Sequence, residues 1–248
     1  MTEESLPTRS DRVARERSGR RRSTKLFVRD ILVIFVVAVL VSFLIKTFVV
    51  RSFYIPSASM ENTLQINDRI IVNELEPGLV PISHGDVVVF RDPGGWLPPQ
   101  PPSNENPFAA AIDSALTFIG LSAADSNDHL IKRVIGLPGD HVTCCNALGQ
   151  ISVNGVPLKE PYILIPPGQS KAATLAFDVT VPQGELWVMG DNRYNSQDSS
   201  RNQGLPGKGF VPIDHVVGRA FVISWPVGRW TSLDNYPGVF AGVENGRK

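Results

Sequence analysis

The chain has 248 residues, 42% of them hydrophobic, and its formal net charge is zero. This length and composition allow one or two domains with a real core, and the balanced charge gives no reason to expect nucleic acid as a partner. The four histidines and two cysteines show no metal-ligand spacing, so the composition also argues against a metal site.

The N-terminal region changes from basic to apolar within a few residues. Residues 1–25 are polar and rich in arginine, which is typical of a disordered tail. Residues 31–50 are almost wholly apolar, and a helix of that length spans about 30 Å, the thickness of a bilayer core. We therefore predict one transmembrane helix within residues 26–50. Because the basic residues precede it, the N-terminus is expected in the cytoplasm and the rest of the chain outside it.

A cleaved signal peptide is the alternative interpretation of this region. The small-x-small pattern Ser57-Ala58-Ser59 follows the apolar run, as a cleavage site would. The run is nevertheless too long for the hydrophobic part of a signal peptide, and the basic segment before it is long as well. A permanent anchor is therefore the favoured interpretation.

After Arg51 the chain consists of short apolar runs that are rich in β-branched residues and bounded by Gly, Pro, Asp or Asn. This pattern predicts a mainly β fold with a hairpin turn at Asn154-Gly155. The predicted strands are residues 69–72, 86–90, 129–135, 151–155, 186–189 and 219–223.

Two segments fit this strand pattern less well. Residues 92–127 begin with a Pro/Gly-rich stretch and continue with an apolar segment, residues 108–121, that can form a short helix or dock on the surface. We interpret the whole stretch as an insertion into the β core.

Cys144 and Cys145 are adjacent, so a reduced pair and a vicinal disulfide are both possible.

Ser59, a few residues past the apolar run, is a candidate nucleophile. A serine hydrolase needs a base and a donor for the developing oxyanion. The sequence has no Gly-x-Ser-x-Gly elbow, no His-Glu-x-x-His motif and no Ser-x-x-Lys motif of the penicillin-binding kind. Spacing alone does not exclude a histidine-based triad, although no histidine lies in a segment suited to one.

Lysine is the other possible base, and Lys132 lies within a strand-like apolar run between Leu130 and Ile135. The pKa of lysine in water is about 10.4, so a base that works near pH 8 needs burial that costs about 3 kcal/mol. The alternative is an outward-facing lysine on an edge strand, which the pattern alone favours.

Four segments resemble the sequence boxes of bacterial type I signal peptidases: residues 56–60, 85–90, 132–140 and 190–199. They occur in the family order behind an N-terminal apolar segment, and the resemblance runs from Phe53 to about Trp230, without the insertion. It implies a membrane-anchored Ser/Lys endopeptidase with a β catalytic core, residues 51–140 and 182–235, and a small inserted β cap, residues 141–181. Residues 236–248 are expected to form a C-terminal tail.

The resemblance also implies roles for the matching residues. Ser59 resembles the nucleophile and Lys132 the general base, while the Ser59 N–H and the Ser57 hydroxyl would form the oxyanion hole. Ser196 matches a serine that orients the lysine by a hydrogen bond, and Asp198 matches a supporting carboxylate.

Arg133 and Asp191 match a structural ion pair in the same family. Removal of either member is expected to leave the other charge unpaired.

The family cleaves after a small-x-small pattern, because its shallow apolar pockets accept only small side chains. Apolar residues that flank the catalytic positions can line such pockets or pack the core: Phe53, Ile55, Met60, Leu64, Ile70 and Ile131. We also expect an exposed apolar surface around Phe53 and Trp225-Pro226 that rests on lipid.

The chain departs from the family pattern at three places. Ala58 replaces a glycine or acidic residue, so the turn must tolerate a side chain there. Asn62 stands where proline is common. An extra residue in Asp198-Ser199-Ser200-Arg201 displaces Arg201, which puts its pairing with Asp198 in doubt.

The sequence thus predicts a single-pass enzyme of the cell membrane that removes signal peptides from exported proteins at the outer surface. Its expected partners are signal peptides and the lipid bilayer; it is expected to work as a monomer and to need no metal or organic cofactor. One alternative is a self-cleaving repressor-type Ser/Lys peptidase, which would carry a DNA-binding domain in place of the apolar span. The other is a membrane-anchored β module that binds secreted chains without cutting them.

Overall fold

The computed structural model describes residues 26–43, 49–98 and 128–246. The chain divides into two compact units, Met1–Phe48 and Val49–Lys248. In the first unit, helix α1, Leu26–Phe43, is long and apolar enough to cross a membrane, and its residues are exposed along its length. The tail predicted for residues 1–25 lies outside the described residues.

The second unit is built almost entirely from strands. In chain order they are β1 (Val50–Tyr54), β2 (Arg69–Asn73), β3 (Val87–Arg91), β4 (His129–Gly136), β5 (His141–Cys144), β6 (Ile151–Val153), β7 (Val156–Pro157), β8 (Phe177–Thr180), β9 (Glu185–Met189), β10 (Val211–Pro212), β11 (Val216–Trp225) and β12 (Thr231–Ser232). All the strands that the sequence predicts are present, so the predicted mainly β fold is confirmed.

The strands form two antiparallel sheets. The larger has the order β1-β2-β11-β3-β4-β9-β10, with β12 added beside β11, and the smaller has the order β7-β6-β5-β8. Strands β3 and β4 lie in the interior of the larger sheet, and Val87 and Val89 face a different core cluster from Val88 and Phe90. Because β3 is buried on both faces, its sequence is a continuous apolar run and does not alternate between apolar and polar residues.

The smaller sheet uses residues between His141 and Thr180. The predicted hairpin is present: Val153 pairs with Val156 across Asn154 and Gly155, whose φ angles are 52° and 79°. Both sheets belong to the same compact unit, so a separate cap domain at residues 141–181 stays a prediction. Of the two states open for Cys144 and Cys145, the structure has the vicinal disulfide.

The structure corrects three boundaries drawn from the sequence. Val50, which was assigned to the transmembrane segment, begins β1 and pairs with Asn73. Trp96, in the predicted insertion, is 5% exposed and packs edge-on against Phe90, because Asp92 accepts hydrogen bonds from the backbone of the turn that carries it. Residues 99–127, including the possible helix at 108–121, lie outside the described residues.

The predicted C-terminal tail, residues 236–248, is the third correction. Phe240 and Val243 are buried in the core cluster that the smaller sheet shares with Trp187. Phe240 stacks on His84 with ring centroids 5.2 Å apart, and the backbone oxygen of Val243 accepts a hydrogen bond from Asn154. Two isolated apolar residues are too weak a sequence signal to predict this packing, yet they bury enough surface to hold the segment in place.

Candidate active site

Ser59 lies in a short 3-10 turn, Ala58–Met60, that follows β1. It is 6% exposed, and its hydroxyl oxygen is 2.8 Å from Lys132 Nζ and 3.3 Å from Ser57 Oγ. The exposed Ser57 thus stands beside the candidate nucleophile. Ala58 has no positive φ, so the turn accommodates its side chain with ordinary backbone angles, as expected.

Lys132 lies on β4, between β3 and β9, and is 3% exposed. The alternative of an outward-facing lysine on an edge strand is therefore wrong. Its amine also donates a hydrogen bond to the Ile131 carbonyl at 2.8 Å. Burial lowers the pKa of Lys132 to about 8, although the negative charges of Asp198 and Asp191 act in the opposite direction. A neutral amine is thus accessible near neutral pH.

Two of the four histidines in the described segments pair with aspartates away from Ser59. His84 Nε2 lies 2.7 Å from Asp140, and His141 Nε2 lies 2.6 Å from Asp178. The hydrogen-bond partners of the Ser59 hydroxyl in the described chain are Ser57 and Lys132. Histidine therefore does not serve as the base in this arrangement. The described residues also hold no cluster of His, Cys, Asp or Glu suited to a metal ion.

The predicted hydrogen bond from Ser196 to Lys132 is not formed. Ser196 is 4% exposed, and within the described residues its hydroxyl has no hydrogen-bond partner. The lysine amine contacts the Ser59 hydroxyl and the Ile131 carbonyl. Ser196 instead packs against Gly190: a Cβ at Gly190 would lie 2.3 Å from Ser196 Oγ and 2.5 Å from the Ser59 carbonyl oxygen.

Asp198 is 1% exposed and is held by neutral donors. Its carboxylate accepts hydrogen bonds from the Gly190 N–H at 3.1 Å and from the Ser200 hydroxyl at 2.7 Å. The side chain of Arg201 donates to the Tyr194 carbonyl instead. In this structure Ser200, and not Arg201, is therefore a hydrogen-bond partner of the Asp198 side chain.

Arg133 and Asp191 form a bidentate ion pair with N–O distances of 2.9 and 2.8 Å, and both side chains are wholly buried. Arg133 also donates to the Gly85 carbonyl, and its guanidinium lies 4.1 Å from the centre of the Tyr162 ring. Removal of either charge would leave its partner buried and unpaired.

The sequence reasoning missed a second buried ion pair, between Arg193 and Glu160. Arg193 Nε donates to the Gly190 carbonyl at 3.0 Å, so this pair reaches the same glycine that packs against Ser59. Burial by itself lowers the pKa of Arg193, but the Glu160 carboxylate raises it overall and keeps the guanidinium charged. Arg193 lies in a recognisable motif block, whereas no motif includes Glu160. The sequence therefore pointed to the arginine but not to its partner.

The apolar residues predicted to line substrate pockets all lie in one core cluster: Phe53, Ile55, Met60, Leu64, Ile70 and Ile131. Met60, Leu64 and Ile70 have no exposed surface, whereas Phe53 and Ile131 are 4% and 7% exposed. The prediction that Phe53 belongs to an exposed surface in contact with lipid is therefore wrong, because its side chain is buried. Trp225, in contrast, is 54% exposed, as predicted.

Residues 28–225 match the protein family described as signal peptidase, peptidase S26. The probable signal peptidase I of Mycobacterium leprae (strain TN) is 38% identical over 203 residues, covering 71% of this chain and 68% of that protein. Signal peptidase I of Mycobacterium tuberculosis (strain ATCC 25618 / H37Rv) is 40% identical over 193 residues, covering 71% and 65%. The chain spans about two thirds of the length of these relatives.

Solved structures include a signal peptidase I from Enterococcus faecalis V583, which is 23% identical and covers 56% of this chain and 95% of that chain. The TM-score is 0.36, a similarity too slight to bear on the fold or the site.

Proposed function

The chain belongs to the signal peptidase family, peptidase S26, and from that membership we propose that it is a serine endopeptidase that removes signal peptides from exported proteins. The observation that supports this most directly is the 2.8 Å contact between Ser59 Oγ and Lys132 Nζ. It joins a hydroxyl to an amine whose pKa burial lowers to about 8, which is the pairing that acyl transfer by a Ser/Lys dyad needs.

The proposed reaction begins with neutral Lys132, which accepts the Ser59 proton as Ser59 Oγ attacks the carbonyl carbon of the scissile peptide bond. The Ser59 N–H and the Ser57 hydroxyl donate hydrogen bonds to the developing oxyanion. When the C–N bond breaks, the Lys132 ammonium returns its proton to the leaving amine. A water molecule then gives a proton to Lys132 as it attacks the ester carbon, and the Lys132 ammonium returns that proton to Ser59 Oγ when the ester C–O bond breaks.

Substrate choice and location follow as parts of the same proposal. The substrates are extended chains with a small-x-small pattern before the cleaved bond, and Phe53 and Ile131, which are 4% and 7% exposed, line the pockets that select them. Helix α1 anchors the enzyme in the cell membrane with the N-terminus in the cytoplasm, because the basic residues precede the apolar span. The same helix argues against a self-cleaving repressor-type peptidase.

Cleavage of a purified pre-protein, with N-terminal sequencing of the product, tests this function. We expect Ser59→Ala and Lys132→Ala each to abolish cleavage while circular dichroism stays unchanged. Ser170→Ala and Lys171→Ala are matched controls, because both residues are exposed in the segment between β7 and β8. Both variants should cleave the pre-protein normally. Normal processing by Lys132→Ala would contradict the dyad.

A serine-reactive acylating probe separates an enzyme from a module that only binds secreted chains. We expect the probe to label Ser59 in the wild-type chain and to lose that label in Lys132→Ala. A chain that binds signal peptides but is not labelled at Ser59 would favour the binding module.

A further inference from the structure

The turn after Ser59 has a backbone conformation that proline, common in the family at position 62, cannot adopt. Asn62 has a φ angle of 86°, whereas the proline ring fixes φ near about −65°. Asparagine tolerates the left-handed region better than most residues. The residue at position 62 therefore determines the backbone conformation of this turn, three residues after the candidate nucleophile.

The Asn62 side chain fastens this turn to a distant part of the chain. Its amide nitrogen donates a hydrogen bond to the backbone oxygen of Tyr162 at 3.0 Å. Tyr162 is 2% exposed. Its hydroxyl donates to Glu160 at 2.9 Å, and its ring lies under the Arg133 guanidinium. The acceptor is therefore held in place by the buried charges around it.

The segment that carries Tyr162 is itself bonded to the block that contacts Ser59. The Leu164 N–H donates to the Asp191 carbonyl at 2.7 Å, and the neighbouring Asn192 N–H donates to the Ser59 carbonyl at 3.1 Å. The Asn192 side chain donates to Glu61 at 3.1 Å. The turn is thus held on one side by Asn192 and on the other by Tyr162, and the segments that carry these two partners are joined by the Leu164–Asp191 hydrogen bond.

We propose that Asn62 is a positioning residue: its hydrogen bond to the Tyr162 backbone holds the turn that presents Ser59 to Lys132. Lys132 is fixed by the interior strand β4, so the Ser59–Lys132 distance depends on the turn. A near-attack geometry is sensitive to displacements of this element by fractions of an ångström. The segment between β7 and β8, which carries Tyr162, then helps to position the candidate nucleophile. This inference rests on the proposed function.

Two substitutions separate the hydrogen bond from the backbone conformation. Asn62→Gly keeps easy access to positive φ but removes the donor, and Asn62→Asp keeps the side-chain shape but replaces the donor with an acceptor. Asn62 is exposed, so both variants should fold. We expect kcat to fall about fivefold in Asn62→Gly and about tenfold in Asn62→Asp, with KM unchanged in both variants and the acidic limb of the pH profile unchanged in Asn62→Gly.

Asn67→Gly is the matched control. Asn67 is a second exposed asparagine with positive φ, 74°, in the same loop, but its side chain accepts a hydrogen bond from Tyr54 rather than contacting Tyr162. We expect this variant to keep the wild-type kcat. Labelling of Ser59 by the acylating probe should slow in the Asn62 variants by the same factor as kcat.

Each other outcome overturns the proposal. A wild-type kcat in Asn62→Gly would show that the hydrogen bond is irrelevant, and an effect confined to KM would place Asn62 on the substrate. An equal loss in Asn67→Gly would indicate a general effect of loop flexibility. Absence of cleavage by the wild-type chain would refute the proposed function and this inference together, whereas normal cleavage by every variant would refute this inference alone.

Discussion

At the scale of single residues, Lys132 combines two properties that an exposed lysine lacks. It is almost wholly buried, so its ammonium form is poorly solvated, and its amine points at a hydroxyl that can give up a proton. Burial lowers its pKa to about 8. The charged form is disfavoured in the folded chain, and the amine can accept a proton at a pH where ordinary lysines are fully charged.

The first prediction is an acidic limb in the rate–pH profile. Because only neutral Lys132 can act as the base, kcat/KM should fall about tenfold per pH unit below about pH 8. The measurement is cleavage of a pre-protein between pH 5 and pH 10, with the fold followed by circular dichroism. A flat profile down to pH 5 would exclude Lys132 as the base.

The second prediction concerns Asp198, whose negative charge raises the pKa of Lys132. In Asp198→Asn that charge is absent, so the pKa of Lys132 should fall further and the acidic limb should move to lower pH. The pH profile of the variant measures this shift. Asp178→Asn is the control, because Asp178 is an exposed carboxylate that pairs with His141, and its acidic limb should not move.

At the scale of elements, the candidate catalytic residues Ser59 and Lys132 come from one turn and one interior strand, and the Ser59 turn packs closely against Gly190. Gly190, which follows β9, touches Ser196 and the Ser59 carbonyl. Its N–H and carbonyl are bonded to Asp198 and Arg193. A residue with no Cβ is required here because the Ser59 carbonyl oxygen and the Ser196 Cβ, neither of which can rotate away, both lie 2.5 Å from the place a Cβ would occupy.

The third prediction is therefore that Gly190→Ala lowers kcat/KM about a hundredfold or more, since the new methyl group must push the Ser59 turn away from Lys132. The measurement is cleavage of a pre-protein together with the melting temperature. Gly204→Ala serves as the control, because a Cβ at Gly204 meets nothing within 4 Å. Full activity in Gly190→Ala would show that the turn can move at no cost to catalysis.

The C-terminal segment is the second element with a testable role, and here the role is stability. Phe240 is 7% exposed and stacks on His84, so Phe240→Ala should lower the free energy of unfolding by about 3 kcal/mol. Urea denaturation of the full chain in detergent measures this fourth prediction. Leu79→Ala, which changes a residue that is 80% exposed, should have almost no effect.

At the scale of the whole molecule, the exposed aromatic residues near the end of β11 carry the fifth prediction. Trp225, Val227 and Trp230 are 54%, 62% and 69% exposed, and tryptophan favours the interface between lipid and water. The double variant Trp225→Ala/Trp230→Ala should bind lipid vesicles more weakly and lose any stimulation of cleavage by vesicles. Cleavage of a soluble peptide in detergent should remain unchanged. Equal vesicle binding by the variant would refute lipid contact through this surface.

Sequence alone determined the features that depend on local pattern. Alternating and continuous apolar runs fixed the strands, because a pleated strand exposes its side chains with a period of two. The length of the N-terminal apolar run predicted helix α1. The resemblance of four motif blocks to those of a known family was enough to single out Ser59, Lys132, Arg133 and Asp191, since those residues lie inside the blocks.

The tertiary structure decided what depends on contacts between distant segments. Burial of Lys132 in an interior strand, the contact of its amine with Ser59, and the pairing of Glu160 with Arg193 each depend on residues that no local pattern relates. The missing bond from Ser196 and the packing of Phe240 belong to the same class. Whether a hydrogen bond or a buried contact forms depends on differences of a few tenths of an ångström in the distance between two atoms. The number of residues between two distant segments does not determine such distances.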